Sequence, residues 1–245
     1  MQWLTPDWPA PANVLATCTT RDDGVSGGAY ASLNLGDHVG DDAQHVARNR
    51  AIFEREIGAR PVYLKQVHGT AGVAVDGNTE DGVEADGCWT SVRAVACTIM
   101  VADCLPVLFA TGDGSRVGAA HAGWRGLAAG VVESTVRAME VPPSSLLAWL
   151  GPCIGPEAFE VGDEVKAAFE QHGAAASDHF EPFRPGKWLA DLPALTRMRL
   201  QALGIGRIHG NDGSREWCTV ANPSRFFSHR RDRISGRLAA AVWRI

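Results

Sequence analysis

Two histidines and a cysteine stand where the chain leaves an apolar run. His68 closes Lys65-Gln66-Val67-His68-Gly69, Asp103-Cys104 follows the run Ala94 to Ala102, and His121 ends Arg116 to His121. Imidazole nitrogen and thiolate sulfur are zinc donors, and catalytic zinc sites use three protein ligands plus an open position. The separations, 36 and 17 residues, are wider than in finger or knuckle patterns, so satisfied core histidines remain the competing reading. A bound metal would lower the pKa of its water to about 7. Asp103 has two readings, one orienting a ligand histidine or shuttling a proton, the other accepting turn N–H groups at a structural corner. Without metal, the same residues make Cys104 a thiolate nucleophile with His121 or His68 as its base, a hydrolase or transferase. The eight histidines include no His-X-His and no His-Cys-His, which disfavours a trinuclear copper cluster.

Strand ends must deliver these groups. Ala94 to Ala102 is too short for a membrane span and rich in Val, Ile and small residues, the pattern of a fully buried strand. Pro106 predicts a turn before Val107 to Ala110 resume as strand, and Val62 to Val67 reads as a strand leading to His68. Val14 to Thr20, Gly72 to Val75, Leu146 to Leu150, Arg207 to His209 and Leu238 to Ile245 complete the strands. Asp41 and Asp42 open a helix that stops at Gly58, with Val46, Phe53 and Ile57 inward and Arg48 and Arg50 on its solvated face. Leu127, Val131, Thr135 and Met139 predict one covering helix, and further helices are expected at Asp163 to His172 and Asp191 to Leu203, joined by a polar segment.

Three stretches could bind anions or metals outside the triad. The glycine-rich loop Arg21 to Gly28 could wrap an anion or be a plain turn. Asp76, Glu80, Asp81, Glu84 and Asp86 do not match a calcium loop and are left without a role. The late cluster Arg230, Arg231, Arg233 and Arg237 is either an exposed turn paired with Asp232 or an anion-binding rim. Cys153, in a Gly-Pro-rich bend, reads as a small buried hydrophobe.

The 245 residues carry 45% hydrophobic content and no linker-like tract, so one domain over 1–245 is expected. A net charge of -5 offers no footprint for nucleic acid or an anionic membrane, leaving a small solute as partner. The N-terminal stretch MQWLTPDWPAPANV has neither a basic n-region nor a continuous apolar h-region, and six cysteines without CxxC suit reduced thiols, so a cytoplasmic protein is expected. Oligomeric state is left open.

Read together, the motifs resemble the YfiH family, also called the laccase-domain or polyphenol oxidase family. The resemblance rests on Thr19-Thr20-Arg21, Ser32-Leu33-Asn34-Leu35-Gly36, His38-Val39-Gly40-Asp41-Asp42, Asn49-Arg50, Lys65-Gln66-Val67-His68-Gly69, Ala102-Asp103-Cys104-Leu105-Pro106, His121-Ala122-Gly123-Trp124-Arg125-Gly126, Gly151-Pro152-Cys153-Ile154-Gly155 and Phe227-Ser228-His229-Arg230-Arg231-Asp232 with Gly236-Arg237. Ser235 stands where the pattern has threonine. The resemblance implies an α+β domain of mixed β-sheets packed between helices in α/β/β/α layers, with zinc on His68, Cys104 and His121 and copper as the alternative metal. It implies catalytic roles for those three and Asp103, and substrate binding by Arg21, Asn34, Gln66 and Arg125. The implied activity is phosphorolysis of adenosine, inosine, guanosine and methylthioadenosine to base and ribose 1-phosphate, with adenosine deamination alongside. A Cys-His hydrolase editing a peptidoglycan precursor is the alternative, and a copper-dependent polyphenol oxidase (laccase) is less favoured.

Overall fold

The architecture, taken from a computed structural model that describes residues 3–245, follows from strands apolar on both faces. Met1 and Gln2, the start of the stretch read for a leader, lie outside the described residues. Val95–Val101 and Leu238–Arg244 pair antiparallel at the centre of a four-stranded sheet, flanked by Val14–Cys18 and Arg60–Tyr63. Alternate residues point to opposite faces. Cys97, Ile99, Val101, Leu238, Ala240 and Val242 enter one core, while Ala96, Met100, Ala239, Ala241 and Trp243 enter another with Phe53 and Ile57. The latter two belong to the helix Ala43–Ile57, whose Asp42 carboxylate accepts from the Gln44 and His45 amides.

A six-stranded sheet runs Arg207–Gly210, Leu146–Leu150, Leu105–Thr111, Val117–Ala122, Gly87–Thr90, Gly72–Ala74. Leu108, Ala110, Val117, Ala119 and Trp149 face the first sheet, and Leu105, Val107, Phe109, Ala148 and Leu150 face helices on the other side. Both sheets mix parallel and antiparallel pairs. The result is one α+β domain of four layers, helix, sheet, sheet, helix. Among the described residues no helix is long and apolar enough to cross a membrane.

Several expectations are corrected. The covering helix is two, Trp124–Ala129 and Val131–Ala138, because Gly130 between them takes φ 101°, though Leu127, Val131, Thr135 and Met139 are all buried. Pro106 lies inside Leu105–Thr111 rather than at a turn. Its carbonyl accepts from Gly151, so its N–H-free nitrogen faces the place where pairing with Leu146–Leu150 runs out. The strand before His68 ends at Tyr63, not Val67. The polar segment after the helix Asp163–Glu170 contains a hairpin, Phe180–Arg184 and Lys187–Ala190, which with Glu160–Gly162 forms a third sheet. Arg50 is not simply solvated: it lies over the Tyr63 ring and donates to the Leu35 carbonyl.

Candidate metal centre and substrate pocket

The chain crosses from the four-stranded to the six-stranded sheet at Ala102-Asp103-Cys104, and the three donors meet at that seam. His68 follows Arg60–Tyr63 in the first sheet, while His121 belongs to Val117–Ala122 in the second. One donor atom from each of His68, Cys104 and His121 lies within 4.8 Å of the others. Cys104 Sγ is 3.6 Å from His68 Nε2. Tetrahedral zinc, with Zn–S about 2.3 Å and Zn–N about 2.05 Å, separates such donors by about 3.6 Å. The donor set therefore fits zinc. The group holds three donors among the described residues, the number of catalytic rather than closed structural sites.

The residue that assembles this site is Asp86. Its carboxylate accepts from the amides of Val67 (3.1 Å), His68 (3.0 Å) and Gly69 (2.7 Å) and from His121 Nδ1 (2.8 Å). Thus one buried acid holds the turn in which His68 takes φ 60° and turns His121 so that Nε2 faces the other donors. Burial pushes the Asp86 carboxyl up, but the hydrogen bonds from His121 and Gly69 outweigh it and hold it below its ordinary value. Burial likewise opposes charge on Cys104, yet His121 and His68 bring its thiol down to about 6. His121 is disfavoured as a cation by burial, and Cys104 and Asp86 reverse this, raising it to about 9. Each group thus favours the charged form of the other, the thiolate of Cys104 and the imidazolium of His121.

Gly123 makes the convergence possible. A Cβ there would stand 2.8 Å from His68 Cδ2 and 2.9 Å from Cys104 Sγ, inside contact distance. The donors border a pocket of about 430 Å³. Trp124, Ile154, Phe159 and Leu192 give it apolar lining, Arg230, Arg233 and Arg237 give it cationic lining, and His38 and His229 add two imidazoles.

The other sequence-derived candidates separate. Asp103, at φ 90°, accepts from Thr219 Oγ1 and the Arg230 amide, both at 2.6 Å, so it ties the corner to the late helix His229–Asp232. The carboxylate on His121 Nδ1 is that of Asp86 instead. Gln66 borders the pocket, but its carboxamide exchanges two 2.8 Å hydrogen bonds with the Met100 backbone, extending the strand pairing past Tyr63. Asn34 is fully buried and serves Gly36, Asp41 and the Arg237 amide. Arg21 donates to the carbonyls of Ala31 and Pro223 and lies on Phe227, and Arg125 lies over Trp124; neither joins the pocket lining. Three amides of the glycine-rich loop are used internally, Gly24 on Ser32, Val25 on Asn49 and Ser26 on the Ser32 carbonyl. The late arginines divide: Arg231 pairs with Asp232, and Arg230, Arg233 and Arg237 reach the pocket. Cys153 is buried, and its thiol is pushed well up by burial.

Asp86 was missed because it sits among four other acids in a polar loop. One signal was available: like Cys104 before Leu105–Thr111, it stands immediately before a strand, Gly87–Thr90.

Comparison with known proteins agrees with the geometry. The chain is 50% identical over 242 residues to Purine nucleoside phosphorylase PA4543 of Pseudomonas aeruginosa, covering 98% of each. It is 45% identical over 244 residues to Purine nucleoside phosphorylase YfiH of Escherichia coli, covering 99% of this chain and 98% of that one. The crystal structure of Neisseria meningitidis protein NMB0706 superposes with a TM-score of 0.96 at 48% identity, over 100% of this chain and 99% of that one. The sequence profile described as multi-copper polyphenol oxidoreductase laccase matches residues 15–245. With that match, those relatives and the shared fold, the chain belongs to the YfiH, or laccase-domain, family.

Proposed function

We propose that residues 1–245 work as one catalytic domain, a zinc-dependent purine nucleoside phosphorylase that also deaminates adenosine. The observation that carries this reading is the convergence of two imidazoles and a thiolate, three donors in all, on a pocket whose lining is part apolar and part cationic. The names of the 50% and 45% identical relatives support the same activity. Zinc, when bound, supplies Lewis acidity at neutral pH.

In phosphorolysis a phosphate oxygen bonds to C1′ of the ribose as the C1′–N bond breaks. The electron pair leaves on the base nitrogen, which takes the proton given up by phosphate. Trp124, Ile154, Phe159 and Leu192 offer the surface a purine needs, and the guanidinium groups offer the charge a phosphate needs. Asp86 keeps His121 and the His68 turn in place throughout. Adenosine, inosine, guanosine and methylthioadenosine are the proposed substrates, inorganic phosphate the co-substrate and the cytoplasm the compartment.

The test is incubation of purified, metal-assayed protein with adenosine, with and without phosphate, and identification of products. Adenine and ribose 1-phosphate that form only with phosphate support phosphorolysis, and inosine formed without it supports deamination. Neither product from zinc-loaded protein would overturn the proposal. One observation favours a second reading: Cys104 Sγ lies 3.6 Å from His68 Nε2, and the neighbouring imidazoles pull its thiol down, which suits a Cys-His hydrolase acting on a peptidoglycan precursor. A chelator separates the two, since it abolishes the first activity and spares the second. Copper can occupy the same donors, but three are too few for the trinuclear cluster of a multicopper oxidase.

A further inference from the structure

We propose that Arg237 and Arg233 form the inorganic-phosphate subsite of this pocket, an inference that rests on the phosphorolysis reading above. The arginine and glycine loop that the sequence offered for this task, Arg21 to Gly28, does not border the pocket, and Arg21 Nε and Nη1 and the Gly24 and Val25 amides donate to protein oxygens. The anion must then be met elsewhere, and the pocket lining supplies the cations.

Several half-buried arginines of this protein are paired with carboxylates. Arg50 pairs with Asp37, Arg199 with Glu133 and Arg231 with Asp232. Arg230, although in the pocket lining, donates to the carbonyls of Ala158 and Glu160 and lies against Phe159. Among the described residues neither Arg233 nor Arg237 forms a salt bridge with a carboxylate. Arg237 uses only Nη1, on the Ser235 and Gly236 carbonyls and the Ser235 hydroxyl, which leaves Nε and Nη2 for a ligand. Two guanidinium groups that form no salt bridge border the pocket beside the His-Cys-His group, and their fork matches phosphate oxygens.

Arg237 is also held in place before any ligand arrives. Its amide donates to Asn34 Oδ1 at 2.8 Å, and its carbonyl accepts from Leu35 at 3.1 Å. Its stem runs across Gly36, where a Cβ would lie 2.7 Å from Arg237 Cγ. The buried Asn34 and the motif around it thus act as positioning residues for this cation, contacting the substrate only through it.

The test uses zinc-loaded protein and inorganic phosphate itself. Phosphate and adenosine KM are measured for phosphorolysis, and phosphate binding without nucleoside is followed by calorimetry. Arg237→Gln and Arg233→Gln are each expected to raise the phosphate KM and Kd at least tenfold, with adenosine KM within threefold. Arg237→Lys, which keeps the charge and loses the fork, should fall between. Arg48→Gln, an equal charge change on the exposed face of the first helix, should leave both constants unchanged. Should Arg237→Gln fold poorly, Arg233→Gln at its exposed position carries the test. Unchanged phosphate KM and Kd in both variants, with nucleosides still cleaved, would overturn the subsite and leave the activity standing. Phosphate binding that depends on both arginines in a protein that cleaves no nucleoside would support the subsite and overturn the activity.

Discussion

Replacing Asp86 by asparagine tests the account of the metal centre most directly. The carboxylate has two oxygens, one accepting from the His68 amide and His121 Nδ1, the other from the Val67 and Gly69 amides. Asparagine keeps one oxygen and turns the other into an NH₂ group. Either orientation leaves two partly or fully buried donors facing a donor. Each unsatisfied buried donor costs about 1–3 kcal/mol, so Asp86→Asn should destabilise the fold by about 2–6 kcal/mol. For a chain of this length that is a melting point lower by at least about 4 °C. Loss of an outer partner to a ligand histidine lowers metal affinity about 10–100-fold. Zinc Kd, measured by competition with a chromophoric chelator, should rise by that factor, and thermal melts of the metal-free protein should report the stability term. Glu80→Gln, an exposed acid of the same loop, should change neither. A zinc Kd within threefold of the parent and an unchanged melting point for Asp86→Asn would refute the reasoning.

Gly123→Ala adds one methyl at ordinary φ (-67°) against His68 and Cys104, so zinc affinity should drop at least about tenfold while circular dichroism stays native; tight zinc binding would mean the approach is not limiting. In metal-stripped protein, alkylation of Cys104 followed by mass spectrometry should rise with pH around a midpoint near 6, because the thiolate forms as pH passes that value. Cys18, Cys97 and Cys153, pushed upward by burial, should stay unlabelled there, and His121→Gln should move the Cys104 midpoint up. A Cys104 midpoint near the ordinary thiol value of about 8.5 would exclude the thiolate–imidazolium pair. His68→Ala removes one of three donors, so adenosine turnover should fall by at least about 10³-fold together with zinc content; full content and turnover would contradict the assigned ligand set. Dipicolinate stripping should abolish turnover and zinc should restore it, whereas chelator-resistant turnover would point to the Cys-His hydrolase.

Local physics was legible in the sequence. Asp42 as a helix cap and a Val/Ile-rich run as buried strand follow from short-range hydrogen bonding and hydrophobicity. Where a tertiary contact competes with a local preference, the local reading fails. Four-residue spacing continued a helix through Gly130, which the packed structure breaks, and Pro106 suggested a turn although its missing N–H meets no strand partner. Arg21 and Asn34 have the chemistry of ligand binders, but their partners turn out to be carbonyls, amides and a carboxylate of their own chain.

By itself the sequence determined that Cys104 and His121 each stand at a strand boundary, because alternation and breaker residues are properties of neighbouring positions. Packing of one sheet on the other decided that these ends coincide, since that distance depends on register and layer spacing that no short stretch encodes. It also decided which of five loop acids is buried: Asp86 alone among them finds four N–H donors, and only a folded chain can bring the His68 turn and the His121 strand to the same carboxylate.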